Sequence, residues 1–118
     1  MAPDHLQRAA TALQALDVDG LVALYADGFQ FEDPAAGQVI TEREELRAYF
    51  AALFGSRDAR FSDVEFFGDR DHGAGRWTWS GTNLRTGRHF AIRGASLFEL
   101  GPAGITRETI FYDPTAAT

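Results

Sequence analysis

Cysteine is absent from the 118 residues, which excludes disulfides, thiolate metal sites and a cysteine nucleophile. Lysine is absent too: all 11 basic residues are arginine, and against 17 acidic residues they leave a net charge of −6. A chain this acidic lacks the broad positive field that nucleic acid or an anionic membrane needs, so neither partner is expected. No apolar run approaches the roughly 18 residues of a membrane span. The start, Met1-Ala2-Pro3-Asp4, has neither the basic nor the apolar segment of a leader, and a cytoplasmic location is expected. Histidine is scarce: His5, His72 and His89 are dispersed. Asp69, Asp71 and Gly73 open like a calcium loop, but Ser80 stands where the bidentate acid belongs. Gly101-Pro102-Ala103-Gly104 lacks the Lys-Ser/Thr pair of a phosphate loop. No metal and no cofactor is expected.

What the chain does have is aromatic mass. Aromatics make up 13%, with ten Phe, two Trp and three Tyr, in a composition that is 45% hydrophobic and 24% charged. The length fits one domain, residues 1–118, with Thr115–Thr118 as a loose tail.

The first third reads as helix. Leu6, Ala9, Ala10, Leu13 and Leu16 recur at spacings of three and four, and Asp4 can cap their start. A second, short helix follows, with Asp17 as N-cap and Gly28 as its stop. Phe29–Asp33 alternates as a strand that Pro34 ends. Thr41 and Glu44 form a capping box for a third helix, whose apolar face is Leu46, Tyr49, Phe50, Leu53 and Phe54, with Gly55 at its end. The period then changes to two. Strands are predicted over 61–68, 76–84, 89–100 and 105–113, joined by short turns as an antiparallel meander. Helices first and sheet afterwards is the α+β layout.

Alternation sorts each strand into two faces. Phe29, Phe31 and Asp33 share one face; so do Trp77, Trp79 and Gly81, and Phe90, Ile92, Gly94, Ser96 and Phe98. In the last strand Arg107, Thr109, Phe111 and Asp113 oppose Glu108, Ile110 and Tyr112. The first of these sets is assigned to the interior, which puts Asp33 and Asp113 on one aromatic face. A carboxylate there needs a partner, a proton or a use. The plainer reading is that both acids, each followed by a proline, cap turns. Arg107, if inward, could pair with either acid or bind an anionic group; a surface position is the simpler one.

Asp17-Val18-Asp19-Gly20-Leu21-Val22-Ala23-Leu24-Tyr25-Ala26-Asp27, followed by Phe31-Glu32-Asp33-Pro34, resembles the start of the SnoaL-like, nuclear transport factor two-like superfamily. Its relatives include ketosteroid isomerase, polyketide cyclases and limonene epoxide hydrolase. The order of elements agrees over nearly the whole chain. The resemblance implies a cone-shaped curved antiparallel sheet wrapped around the N-terminal helices, a cystatin-like α+β barrel, with an apolar pocket for a small hydrophobic ligand. It also implies a homodimer through the sheet. Asp33 is similar to the general base of ketosteroid isomerase, while the tyrosine and second aspartate of that site fall at Ala9 and Ser96. Asp113 resembles one carboxylate of limonene epoxide hydrolase, whose arginine and other aspartate fall near Trp77 and Trp79.

Three functions follow as expectations. The first is cofactor-free acid/base catalysis, of isomerase, cyclase or dehydratase type, on a small carbonyl compound such as a polyketide or terpenoid. Asp33 and Asp113 would move the proton, and Ser96 or an indole N–H would donate to the oxyanion. Phe31, Trp77, Trp79, Phe111, Thr109, Tyr25 and Arg107 would line the substrate site. The second is a non-catalytic binding or dimerisation module of the same fold. The third is epoxide hydrolysis or cyclisation by the Asp33–Asp113 pair.

Overall fold

The computed structural model describes residues 4–117. The N-terminal start Met1–Pro3 and Thr118, the end of the expected tail, lie outside the described residues. Two helices come first, α1 (Asp4–Gln14) and α2 (Val18–Val22). Leu6, Ala9 and Leu13 of α1 are buried, as their spacing requires. Leu16 has left the helix, with a positive φ of 55° that turns the chain into α2. Asp17 caps α2 as expected, its carboxylate accepting the Gly20 N–H at 3.0 Å.

Gly28 does not end α2. The helix stops at Val22, and Gly28 (φ 78°) lies inside strand β1 (Tyr25–Asp33), where the register shifts between Tyr25 and Gln30. A 3-10 turn, Pro34–Ala36, and a short strand, β2 (Gln38–Ile40), lead to α3 (Arg43–Leu53). The Thr41–Glu44 capping box does not form; the N-cap is Glu42, with no side-chain cap bond. The entry to α3 is fixed from outside instead. Pairing of Ile40 with Phe31 sets where the chain arrives, and Arg43 donates to the Val22 and Tyr25 carbonyls and to Asp27.

Strands β3 (Arg60–Gly68), β4 (His72–Thr82), β5 (His89–Gly101) and β6 (Gly104–Tyr112) form the meander. β4 begins four residues before its expected start, because Gly73–Gly75 pair with both neighbouring strands and His72 with β5. A second 3-10 turn, Pro114–Ala117, occupies most of the expected tail. The sheet order is β2-β1-β6-β5-β4-β3, curved and unclosed. It is mixed rather than wholly antiparallel, since β1 runs parallel to β6.

The core lies between the helices and the inner sheet face. Phe31, Leu46, Phe50, Phe61, Trp77 and Phe98 are all buried there. Phe50 stacks on Phe54, and Phe61 meets Trp77 edge-on at 5.8 Å. Gly94 faces Trp77 across the β4–β5 ladder. A Cβ at Gly94 would lie 2.2 Å from the indole, so the absence of a side chain is what lets the ring lie flat against β5.

Candidate functional site

Between α1, α3 and the inner face of the sheet lies a cavity of about 50 Å³. Its wall is almost entirely apolar and includes Phe31, Phe50, Phe61, Trp77 and Trp79. The polar groups on it are Ser96, Glu108 and the hydroxyls of Tyr25, Tyr49 and Tyr112.

Among the described residues Glu108 is the one carboxyl on this wall, and it is buried. Tyr25 donates its hydroxyl to Glu108 Oε1, and Ser96 also hydrogen-bonds to the carboxyl. Burial pushes the Glu108 pKa up to about 7, against the downward pull of those two bonds. Burial also raises Tyr25 well above the ordinary tyrosine value, and the neighbouring Glu108 charge adds to this. The Trp77 indole N–H donates to Ser96 Oγ at 3.0 Å, so Trp77, Ser96, Glu108 and Tyr25 form one buried polar chain across β4, β5, β6 and β1.

Asp33 sits at the end of β1 and is 1% exposed. Tyr49 and Tyr112 donate to its Oδ2 at 2.8 and 3.0 Å, and the Ala36 N–H donates to Oδ1 at 3.2 Å. Its carboxylate thus caps the 3-10 turn and holds two tyrosines that line the cavity, while Asp33 itself is not part of the lining. Burial and the Asp33 carboxylate raise both phenols, Tyr112 to about 12 and Tyr49 further.

The last strand presents the face opposite to the expected one. Glu108, Ile110 and Tyr112 point inward; Arg107 and Phe111 are exposed, and Thr109 is half-buried. Asp113 is exposed and accepts from the Thr115 N–H and hydroxyl, contacts that hold its carboxyl below the usual range. It caps a turn, the plainer of the two readings, and the Asp33–Asp113 pair does not form. Arg107 binds Glu32 at 2.6 Å and Glu99 at 3.4 Å on the outer face, and Thr109 donates to the same Glu32. The hydrogen bond from Arg107 holds the Glu32 carboxyl low. Both indoles are already committed, since Trp79 donates to the Leu53 carbonyl at 3.1 Å.

Phe31, Trp77, Trp79, Tyr25 and Ser96 therefore lie on the cavity wall, and Phe111, Thr109, Arg107 and Asp113 do not. Sequence reasoning missed Glu108, Tyr49 and Tyr112. A signal for the strand's true face was there: one set carries Ile110 and Tyr112, the other only Phe111. Glu108 obscured it, because a carboxylate counts against an inward face unless its partner, here Tyr25, is known.

The SnoaL-like domain family matches residues 6–107. The chain belongs to this family. None of the curated proteins matches it. Solved structures do. A Catenulispora acidiphila protein with a ketosteroid isomerase-like fold, in complex with trimethylamine, is 19% identical with a TM-score of 0.83, covering 99% of this chain and 91% of that one. A Silicibacter protein provisionally named a polyketide cyclase is 24% identical with a TM-score of 0.81, covering 95% and 88%. An NTF2-like protein from Burkholderia thailandensis is 22% identical with a TM-score of 0.80, covering 94% and 89%. At these identities the SnoaL-like chain shares their fold, and the fold hosts many chemistries. Among the described residues no helix is long and apolar enough to cross a membrane, and no group of three or more His, Cys, Asp or Glu could hold a metal ion.

Proposed function

We propose that this SnoaL-like chain is a small-molecule pocket protein that moves a proton on a small hydrophobic carbonyl compound, with Glu108 as the acid/base. The observation that carries this reading is the Glu108 carboxyl on an apolar cavity wall, brought close to neutral pH by burial. A group in that range is both a usable base and a usable acid at pH 7. As carboxylate it takes the proton from the carbon beside the carbonyl. The C–H electron pair moves into an enolate, and the proton is returned to that carbon or to a conjugated one. Tyr25 and Ser96 position the carboxyl. Asp33 acts at one remove, by anchoring Tyr49 and Tyr112 along the wall. The names of the structural neighbours, polyketide cyclase and ketosteroid isomerase-like, and the trimethylamine held by one of them, support a small-molecule ligand.

The test is exchange of the protons beside the carbonyl of a small ketone in D2O, followed by NMR. Glu108→Gln should lower the catalysed rate at least about 100-fold, and Asp33→Asn by less. An unchanged rate in Glu108→Gln overturns the assignment. The second reading, a binding module without turnover, is favoured by how small the cavity is; ketone binding without any exchange would establish it.

A further inference from the structure

The cavity wall combines many aromatic rings with one carboxyl, and it has no cation. Among the described residues neither Glu108 nor Asp33 has a salt-bridge partner. Among the described residues no Arg or His contributes to the lining. A buried carboxylate is stabilised by hydrogen bonds, by a proton or by a bound cation; Asp33 has three donors, whereas Glu108 has Tyr25 and Ser96 alone. An aliphatic wall would leave the proton as the better answer. Aromatic faces carry partial negative charge and attract a cation placed over them. They repel an anion for the same reason.

We propose that this cavity binds a small alkylated ammonium ion, with Glu108 as its counter-ion and the rings of Tyr25, Phe31, Phe61, Trp77 and Tyr112 as its cage. Alkylation follows from the wall. A primary ammonium turns three N–H donors outward, and on a wall that is almost entirely apolar most directions from Glu108 meet carbon. Methyl groups ask for no acceptor and pack against rings. Size follows from the cavity: about 50 Å³ admits a small ion and no bulky one. The binding goes beyond the catalytic reading, since it requires the carboxylate and the rings but no turnover.

A pH signature follows. Tyr25 on β1 and Ser96 on β5 hold the carboxyl, and Tyr49 on α3 feels its charge. Tyr112 shares its strand. Asp33 lies behind Tyr49 and Tyr112, and α1 and α2 contribute only Ala9, Leu13 and Leu21 to the wall. The phenols are all raised, so Glu108 is the group on this wall that changes charge between about pH 6 and 8.

Calorimetric titration with tetramethylammonium chloride, and with tert-butanol as a neutral compound of the same shape, tests the proposal. Tetramethylammonium affinity should rise about tenfold from pH 6 to pH 8, following ionisation of Glu108, and tert-butanol affinity should not rise. Glu108→Gln should lower tetramethylammonium affinity at least about tenfold at pH 8 and flatten its pH dependence. Phe61→Leu, which keeps an apolar wall, should weaken the cation and spare tert-butanol; with the wild-type pH profile it keeps the test decisive if the Gln variant fails to fold. No tetramethylammonium binding at pH 8, or binding no tighter than that of tert-butanol, overturns the proposal. Ketone exchange is read separately, so either reading can fail alone.

Discussion

Replacing Glu108 by Gln should stabilise the protein at alkaline pH. Folding takes this carboxyl from an ordinary value of 4.5 to about 7. Between those values the folded state binds the proton and the unfolded state does not. Stability therefore falls as pH rises through this window. The contribution is complete below about 4.5, and the loss is complete above about 7. The rise corresponds to about 3 kcal/mol, an upper figure, since water entering the cavity would reduce it. Glutamine has nearly the same shape and never ionises, and its amide oxygen can still accept from Tyr25. The difference in stability, Gln variant minus wild type, should thus be near zero at pH 4.5 and grow to about 1–3 kcal/mol by pH 8, or several degrees in Tm. Urea unfolding from pH 4.5 to 8.5 measures it, with unchanged m-values required. Taking the difference cancels the other carboxyls held low by their partners, such as Glu32, Asp58 and Asp69. A difference that stays flat across the series refutes the burial argument for Glu108.

Two further outcomes are expected. Tyr49→Phe and Tyr112→Phe each remove one donor from buried Asp33 and should cost about 1–3 kcal/mol apiece, with the double variant departing from additivity because both act on one oxygen; additive, small losses in urea melts would mean that Asp33 is held otherwise. Leu97 and Phe111, 54% and 48% exposed on the outer sheet face, are apolar surface of the kind a second copy would cover; we propose that they centre a homodimer. Sedimentation should give a dimer that Leu97→Glu with Phe111→Glu converts to monomer, and a wild-type monomer at tens of micromolar would end that reading.

The layout was legible in the residue pattern. The change of period from 3.6 to two after Gly55 separates helices from meander, because each periodicity suits one backbone geometry. Proline at 34 and 114 ends β1 and β6, since it cannot donate to a ladder. The motif around Asp17 and Asp33 marks the family. The helix boundaries were less legible where long-range contacts prevail: Arg43 reaching back to Val22, Tyr25 and Asp27 anchors the start of α3 more firmly than the local Thr41–Glu44 pattern. The inward face of β6 was decided by the tertiary structure, because Glu108 masked the signal that Ile110 and Tyr112 carried. Alternation divides a strand into two sets but does not say which is inside. That depends on whether a buried acid finds a donor, and the donor for Glu108 is Tyr25, 83 residues earlier in the chain. Asp33 and Asp113 looked alike in sequence, each an acid before a proline. Only the packing of Tyr49 and Tyr112 against one of them, and solvent around the other, gave them different work.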